Sequence, residues 1–288
     1  MSAERSIPAH VQAEAIVLED ARLIYVPSPK AGSTAVLWAL VELTDLDPAA
    51  FRRSSKLETT RALTIHDASI WGRAYRLDRM RRDPRELFAA KDWLSFTVVR
   101  EPVRRIWSAW VSKILVRDPR FVRRYGAESW FPEPPRTPVD VVRSFRAFVA
   151  ALPDRPAEWH DPHWSSQVEL VGADILPYDL VAHVEQLPHD LEPLTRHLRR
   201  HGRDALRLRR ENASLLPFAA ELLDTESWEA CVAFTSGDRD AFGYAVPKCA
   251  AGHPLDVWVA KAEERLPGIH AAIQRNERIG DFKELLAG

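Results

Sequence analysis

The chain has 288 residues, of which 46% are hydrophobic and 28% charged, with a formal net charge of −1. These values describe an ordinary globular protein able to bury a core, as one large α/β domain or two small ones. The small net charge conceals a basic segment, since residues 73–124 contain 15 Lys or Arg against 6 Asp or Glu. This segment contains no nucleic-acid motif, so we expect it to serve an anionic small molecule rather than nucleic acid.

No stretch approaches the roughly 18 apolar residues of a membrane span, and acidic residues flank the longest early apolar run, at 16–18. The two cysteines, Cys231 and Cys249, form neither a disulfide framework nor a metal-binding spacing. We therefore expect a cytoplasmic protein without a membrane span. The sequence carries no signal for its oligomeric state.

A short apolar run, Leu23–Val26, predicts a buried strand. It is followed by a tight loop with two prolines, Lys30 and Gly32, and then by Ser33 and Thr34 at the start of an amphipathic helix. The first N–H groups of a helix have no intrahelical partner, and the helix dipole favours negative charge there. The loop is therefore predicted to bind a phosphate-like anion, helped by the lysine ammonium and the two hydroxyl groups.

This loop differs from the common nucleoside-triphosphate loop, which places its lysine directly before the hydroxyl residue. Lys30 instead stands three positions before Ser33, and no glycine opens the loop. Two alternatives stay open at this point. The chain could be a small-molecule kinase or nucleotide hydrolase with a variant loop, or the stretch could be a proline-rich turn with a solvated lysine.

A second buried strand is predicted over Leu94–Val99, followed by Arg100 and by a helix that starts near Pro102. Arg100 would then lie at the carboxyl end of a strand, where open α/β sheets bind their ligands. Ser108 lies two turns into that helix. His66 is the only histidine between the loop and this strand, although a lone histidine is more often structural than catalytic.

Further along the chain, apolar residues at helical spacing predict a core helix over 139–152, and another strand is predicted over 179–185. Between them, His160 and His163 could suggest a metal pair. No third ligand is evident and the setting is a loop, so we expect no metal there.

The chain is predicted to consist of a lead-in at 1–21, one domain at 22–247 and a helical extension at 248–288. Residues that interrupt helices are expected to divide the extension into two or three short helices, at Pro254, Pro267 and Gly280.

Four stretches follow one another along the chain: Pro-Lys-Ala-Gly-Ser-Thr at 29–34, Val-Arg-Glu-Pro-Val-Arg-Arg at 99–105, Asp-Pro-His-Trp-Ser-Ser-Gln at 161–167 and Tyr-Asp-Leu-Val-Ala-His-Val-Glu-Gln-Leu at 178–187. A weaker fifth is Phe-Gly-Tyr-Ala-Val-Pro at 242–247. In this order they resemble the family 2 carbohydrate sulfotransferases, which include the chondroitin and HNK-1 enzymes. The resemblance covers about 22–247.

The resemblance implies an α/β fold with a P-loop-like parallel sheet flanked by helices. It also implies 3′-phosphoadenosine 5′-phosphosulfate (PAPS) as sulfuryl donor and 3′,5′-adenosine bisphosphate as product, with no metal. The 5′-phosphosulfate would be bound by the loop, at Pro29, Lys30, Ala31, Gly32, Ser33 and Thr34. The ribose 3′-phosphate would be bound by Arg100 and Ser108, while Lys30 would also act in catalysis.

His66 falls where members of this family often have a histidine between the two donor motifs, so the resemblance makes it the candidate general base. His163 is the reserve candidate, and Glu58 and Glu185 are carboxylate alternatives. A non-catalytic module that binds PAPS or its bisphosphate product is a further alternative, although binding alone would not need a base.

The chain also departs from the Golgi members of the family, which carry an N-terminal membrane anchor and luminal disulfides. We therefore expect a soluble bacterial enzyme whose acceptor is a hydroxyl of a sugar, a glycoside or another metabolite. Tryptophans outside the predicted strands could stack on sugar rings or belong to the core: Trp71, Trp130, Trp159 and Trp164.

Overall fold

The computed structural model describes residues 6–54, 60–72, 75–80, 83–156, 159–209 and 214–285. The chain divides into two compact units, each built from two separate segments. The first unit comprises residues 1–101 and 162–212, and the second comprises residues 102–161 and 213–288.

The first unit contains a four-stranded sheet in the order β1, β2, β3, β4. The strands are β1 Ile16–Leu18, β2 Leu23–Val26, β3 Leu94–Val99 and β4 Leu180–His183. Strands β2, β3 and β4 are parallel, with Val26 opposite Thr97 and Val99 opposite His183, whereas β1 pairs antiparallel with β2. The carboxyl ends of three neighbouring strands therefore meet at one edge of the sheet.

The two apolar runs form strands with the predicted bounds, because every residue of β2 and β3 is buried. The rings of Tyr25 and Phe96 stack across the strand pair with centroids 4.7 Å apart. The third predicted strand is shorter than 179–185, because a 3₁₀ helix, Val184–Gln186, begins directly after His183. Before the strand, the exposed Asp179 accepts hydrogen bonds from the N–H and hydroxyl of Ser95. Strand β1 lies within residues 1–21, where the sequence predicted a lead-in.

Along the chain, α-helices come before, between and after the strands, and α-helices also make up the second unit. In chain order they are α1 Ala9–Glu14, α2 Ser33–Val41, α3 Pro48–Arg52, α4 Ala68–Trp71, α5 Pro84–Phe88, α6 Pro102–Ala109, α7 Pro119–Tyr125, α8 Pro138–Ala150, α9 Gln167–Val171, α10 Leu187–Asp190, α11 Glu192–Arg200, α12 Thr225–Phe234, α13 Ser236–Phe242 and α14 Asp256–Leu285. Helices α3, α5, α7 and α8 begin alike, with an Asp or Thr cap followed by proline. Within the described ranges, no helix is both long and apolar enough to cross a lipid bilayer.

The second unit packs its helices around buried aromatic residues. The rings of Trp107 and Trp110 stack with centroids 5.4 Å apart, and both contact Phe145 of α8. Trp110 also begins a π-helix, Trp110–Leu115, that directly continues α6. The helix predicted after Arg100 therefore changes its winding after two turns, which the apolar pattern alone did not indicate.

The C-terminal extension forms one helix, α14, so the expectation of two or three short helices is wrong. The helix continues through Pro267, although proline removes one helical hydrogen bond. Packing compensates for this loss because α14 lies against α7 and α8. The wholly buried Asn276 also donates to the Val116 carbonyl at 2.8 Å.

Candidate active site

Residues 27–32 join β2 to α2 and form the predicted anion-binding loop. The N–H of Ala31 donates to the carbonyl of Ser28 at 3.2 Å, which closes a four-residue turn with Pro29 and Lys30 at its centre. Lys30 has φ 68°, the left-handed conformation that the third position of a type II turn requires. This conformation costs a residue with a side chain roughly 1–2 kcal/mol. The loop therefore holds its lysine at a strained backbone position.

Gly32 is the N-cap of α2 and is also left-handed, with φ 78°. Its conformation rather than its surroundings selects glycine, because an added Cβ would approach no described atom more closely than 3.9 Å, at Val184 Cγ2. Among the described residues, no side chain caps α2, and its first turn contains no acidic residue. The start of α2 thus has the polarity that attracts an anion.

His66 lies at the first turn of α2. Its Nε2 is 3.1 Å from the hydroxyl of Thr34. When the ring proton is on Nδ1, Nε2 accepts a hydrogen bond from this hydroxyl, and the roles reverse in the other tautomer. The predicted base and the predicted donor loop are therefore in direct contact, although 32 residues separate them.

The 3₁₀ helix Arg61–His66 is held in place by two tryptophans. Trp38 of α2 donates to the Ala62 carbonyl at 2.9 Å, and Trp71 of α4 donates to the Ile65 carbonyl at 2.7 Å. Because Trp71 is only 2% exposed, it is a core residue that positions this segment and not a stacking surface for a sugar.

Arg100 directly follows β3, and its side chain reaches back to the loop. Its Nη1 donates to the backbone carbonyl of Lys30 at 3.2 Å. The two donor motifs predicted from the sequence are thus connected by a hydrogen bond between residues that are 70 positions apart.

Gln167, the first residue of α9, holds the backbone of Arg100. Its side-chain carbonyl accepts from the Arg100 N–H at 3.0 Å, and its amide group donates to the Arg100 carbonyl at 2.9 Å. Gln167 is wholly buried. Its role was not evident from the sequence, although it is the last residue of the third matching stretch. A buried amide can satisfy both backbone groups of one residue, which a strand end otherwise leaves unpaired.

The end of β4 and the residues that follow it make further hydrogen bonds in the first unit. The Glu185 carboxylate accepts from the N–H of Glu101 at 3.0 Å, so this candidate base serves as a backbone partner. His183, also unassigned from the sequence, is held by Asp190, which accepts from its backbone N–H at 2.8 Å and lies 3.0 Å from its Nδ1. Burial acts to raise the pKa of the Asp190 carboxyl, but hydrogen bonds from His183 outweigh it and lower that pKa.

The remaining predicted site residues are distributed over the two units. His163 is half-buried in the turn at 162–164 of the first unit, and Ser108 is buried on α6 of the second unit. Glu58 lies outside the described residues. Trp130 and Trp164 are 5% and 1% exposed, so both belong to the core.

The His160 side chain makes a polar contact and a ring contact within the second unit. Its Nε2 lies 3.2 Å from the Arg155 carbonyl, and its ring packs against Phe234. Burial lowers the pKa of the imidazole and so favours its neutral form. In the part of the chain that the structure describes, no group of three or more His, Cys, Asp or Glu could hold a metal ion.

A family model described as the sulfotransferase family matches residues 13–220, well over half of the chain. The matched region includes the loop, His66, Arg100 and Gln167. No curated protein and no solved structure matches the chain. The extent of the family match shows that this chain belongs to the sulfotransferase family.

Proposed function

We propose that the protein uses PAPS as donor and transfers its sulfuryl group to a hydroxyl of a sugar, a glycoside or another metabolite. Membership of the family supports sulfuryl transfer. One arrangement supports the particular chemistry: hydrogen bonds connect the Lys30 loop to the Arg100 guanidinium and to the His66 imidazole within one unit. An anion-binding loop, a second cation and a proton acceptor are the groups that such a reaction needs.

The residues present fit an anionic donor. The uncapped start of α2 and the Lys30 ammonium suit the 5′-phosphosulfate, with the hydroxyls of Ser33 and Thr34 as further donors. Arg100 suits the ribose 3′-phosphate because a guanidinium can donate two hydrogen bonds to one phosphate.

The protein contributes positioning and charge neutralisation, as in phosphoryl transfer. When bound, the donor supplies a sulfuryl group on a stable leaving group. As the bond between sulfur and the bridging oxygen breaks, negative charge grows on that oxygen. Lys30 and the first N–H groups of α2, which directly follows the loop, would stabilise this charge.

The acceptor hydroxyl forms the new oxygen–sulfur bond and must lose its proton in the same step. His66 would take this proton, because an imidazole has an ordinary pKa near 6.5 and accepts protons at neutral pH. Its Nε2 already lies at hydrogen-bond distance from the Thr34 hydroxyl. An acceptor hydroxyl bound beside the loop would be within reach of the same nitrogen.

The donor assignment can be tested by calorimetric titration with 3′,5′-adenosine bisphosphate, with ADP and ATP as controls and without added metal. We expect binding of the bisphosphate in preference to ADP and ATP, and its loss in Arg100→Ala. Equal or tighter binding of ATP, seen only with Mg²⁺, would instead indicate a kinase or nucleotide hydrolase.

The acceptor can then be sought with sulfur-labelled PAPS and a panel of sugars, glycosides and other hydroxyl metabolites. Transfer of label to a hydroxyl supports the proposed enzyme. Tight bisphosphate binding without transfer to any class of acceptor would favour a non-catalytic binding module. The buried positions of Trp71, Trp130 and Trp164 indicate that an acceptor sugar would need other contacts than these rings.

A further inference from the structure

Ser28 lies in the loop between two prolines and is wholly buried. Its backbone carbonyl closes the turn around Lys30, but its hydroxyl has no hydrogen-bond partner within the described structure. A serine hydroxyl can donate one hydrogen bond and accept two. Leaving all of them unmade away from water is unfavourable, so a buried and unpaired hydroxyl calls for a reason.

Ser95 of β3 is a buried serine of the same unit that has a structural role, and it can be compared with Ser28. It is 1% exposed, and its hydroxyl bonds to the Asp179 carboxylate at 2.8 Å and to the Pro177 carbonyl at 3.3 Å. Ser28 has the same side chain and similar burial without such partners. A structural explanation that accounts for Ser95 therefore does not account for Ser28.

The backbone around Ser28 has little freedom to move the hydroxyl away from the loop. Pro27 and Pro29 restrict the chain on both sides. The carbonyl of Pro27 also accepts a hydrogen bond from Nε2 of His10 in α1 at 2.7 Å. The hydroxyl therefore belongs to the same rigid turn as Lys30, two positions before the lysine.

We infer that the Ser28 hydroxyl also takes part in binding PAPS. It forms a hydrogen bond to the 5′-phosphosulfate of PAPS and to the 5′-phosphate of the bisphosphate product. This inference rests on the proposed function. The hydroxyl is buried without ligand. Because the turn is rigid, rotation about the Cα–Cβ bond of Ser28 would bring the hydroxyl to the anion. Because the unpaired state exists only without ligand, pairing the hydroxyl on binding adds to affinity.

The inference predicts a distinctive pair of effects for Ser28→Ala. Its unfolding midpoint in denaturant should equal or exceed that of the wild type, because the substitution removes an unpaired buried hydroxyl. Its affinity for 3′,5′-adenosine bisphosphate should fall about tenfold, the effect of losing one hydrogen bond to a charged group. Its affinity for adenosine 3′-monophosphate, which lacks the 5′ group, should match that of the wild type.

Ser95→Ala is the matched control, since it removes a buried serine hydroxyl that has partners. It should lower the unfolding midpoint and leave bisphosphate affinity within about twofold of the wild type. Ser28→Cys serves as a second variant that replaces the hydroxyl with a slightly larger group and a weak donor, and it should also weaken bisphosphate binding.

The possible outcomes separate the two proposals. If Ser28→Ala and Ser28→Cys both bind the bisphosphate like the wild type, or if Ser28→Ala loses stability without losing affinity, the Ser28 inference is overturned while the donor assignment stands. If the wild type itself does not bind the bisphosphate, the proposed function fails and the inference fails with it.

Discussion

The guanidinium of Arg100 donates to the carbonyl of Lys30, so the residue after β3 holds the strained residue of the loop after β2. This bond gives Arg100 a second function beside the phosphate contact proposed for it. Positioning of the lysine and the proposed binding of the donor therefore depend on one side chain.

Arg100→Ala should weaken binding of the bisphosphate by at least about tenfold, since hydrogen bonds to charged groups contribute roughly 1.5–3 kcal/mol. Arg100→Lys should restore only part of this affinity, because an ammonium lacks the planar fork that can serve a phosphate and a carbonyl together. Calorimetry with the bisphosphate measures both. The exposed Arg196 of α11 offers a control, and Arg196→Ala should bind like the wild type. Equal affinity of Arg100→Ala and Arg196→Ala would contradict the phosphate role.

His66→Ala should reduce turnover by about 10²-fold or more, the usual effect of losing a general base, and leave bisphosphate affinity within about twofold. Turnover is measured by transfer from labelled PAPS to the acceptor found in the screen. His253→Ala, at an exposed histidine of the second unit, should retain full activity. A loss below tenfold in His66→Ala would remove His66 from this role and make His163→Ala the next variant to measure.

Lys30 allows the side-chain charge to be separated from the backbone conformation. Lys30→Ala and Lys30→Gly should both lower the rate by about 10²-fold or more, because both remove the ammonium that we propose to stabilise the leaving oxygen. Their free energies of unfolding should differ, with glycine about 1 kcal/mol more stable than alanine, since only glycine adopts φ 68° without strain. Denaturant titrations compare the two variants. A glycine variant less stable than the alanine variant would show that the turn does not have this conformation.

Gln167→Leu should lower the free energy of unfolding by about 2 kcal/mol, because it leaves the N–H and carbonyl of Arg100 without the partners that the amide provides. We also expect weaker bisphosphate binding, since Arg100 would lose its fixed backbone. Gln274→Leu places the same substitution at an exposed site of α14 and should change neither quantity. Unchanged bisphosphate affinity in Gln167→Leu would show that the amide stabilises the fold without positioning Arg100.

A buried ion pair in the second unit predicts a pH dependence of stability. The Asp118 carboxylate lies 3.1 Å from Lys113 Nζ and 3.0 Å from Arg120 Nη2. Burial alone would raise the pKa of the Asp118 carboxyl, but the hydrogen bond and charge of Arg120 together with those of Lys113 outweigh burial and lower the pKa to about 2.

Because the folded-state pKa is depressed, the stabilisation by Asp118 is present above the ordinary carboxyl pKa and is lost as the pH falls from about 4 to 2. The lowered pKa corresponds to about 2 kcal/mol of this stabilisation. Asp118→Asn should destabilise the protein at neutral pH, because it leaves Lys113 buried without its counter-charge. It should also reduce the fall in the free energy of unfolding between about pH 4 and 2, the acid limb of the stability profile. Asp240→Asn, at an exposed aspartate, should leave the limb as in the wild type. An unchanged acid limb in Asp118→Asn would contradict the assignment.

Local features of the sequence determined the parts of this protein that depend on neighbouring residues. The apolar residues of β2, and those of β3 with Ser95 and Thr97 between them, indicate short strands buried on both faces. Proline, lysine and glycine at 29–32 specify the tight turn and the anion-attracting start of α2, since they act through local backbone conformation.

Tertiary structure alone decided which distant residues meet. The side-chain amide of Gln167 is hydrogen-bonded to the backbone of Arg100, 67 positions away in the sequence. No spacing rule relates residues so far apart. The contact of His66 with Thr34 likewise joins residues that are distant in the sequence. Tertiary packing also decides the length of α14, which continues through Pro267 because neighbouring helices support it. Propensity and periodicity report forces within a few residues of the chain, whereas these contacts arise from burial and hydrogen bonding between segments that only the folded chain brings together.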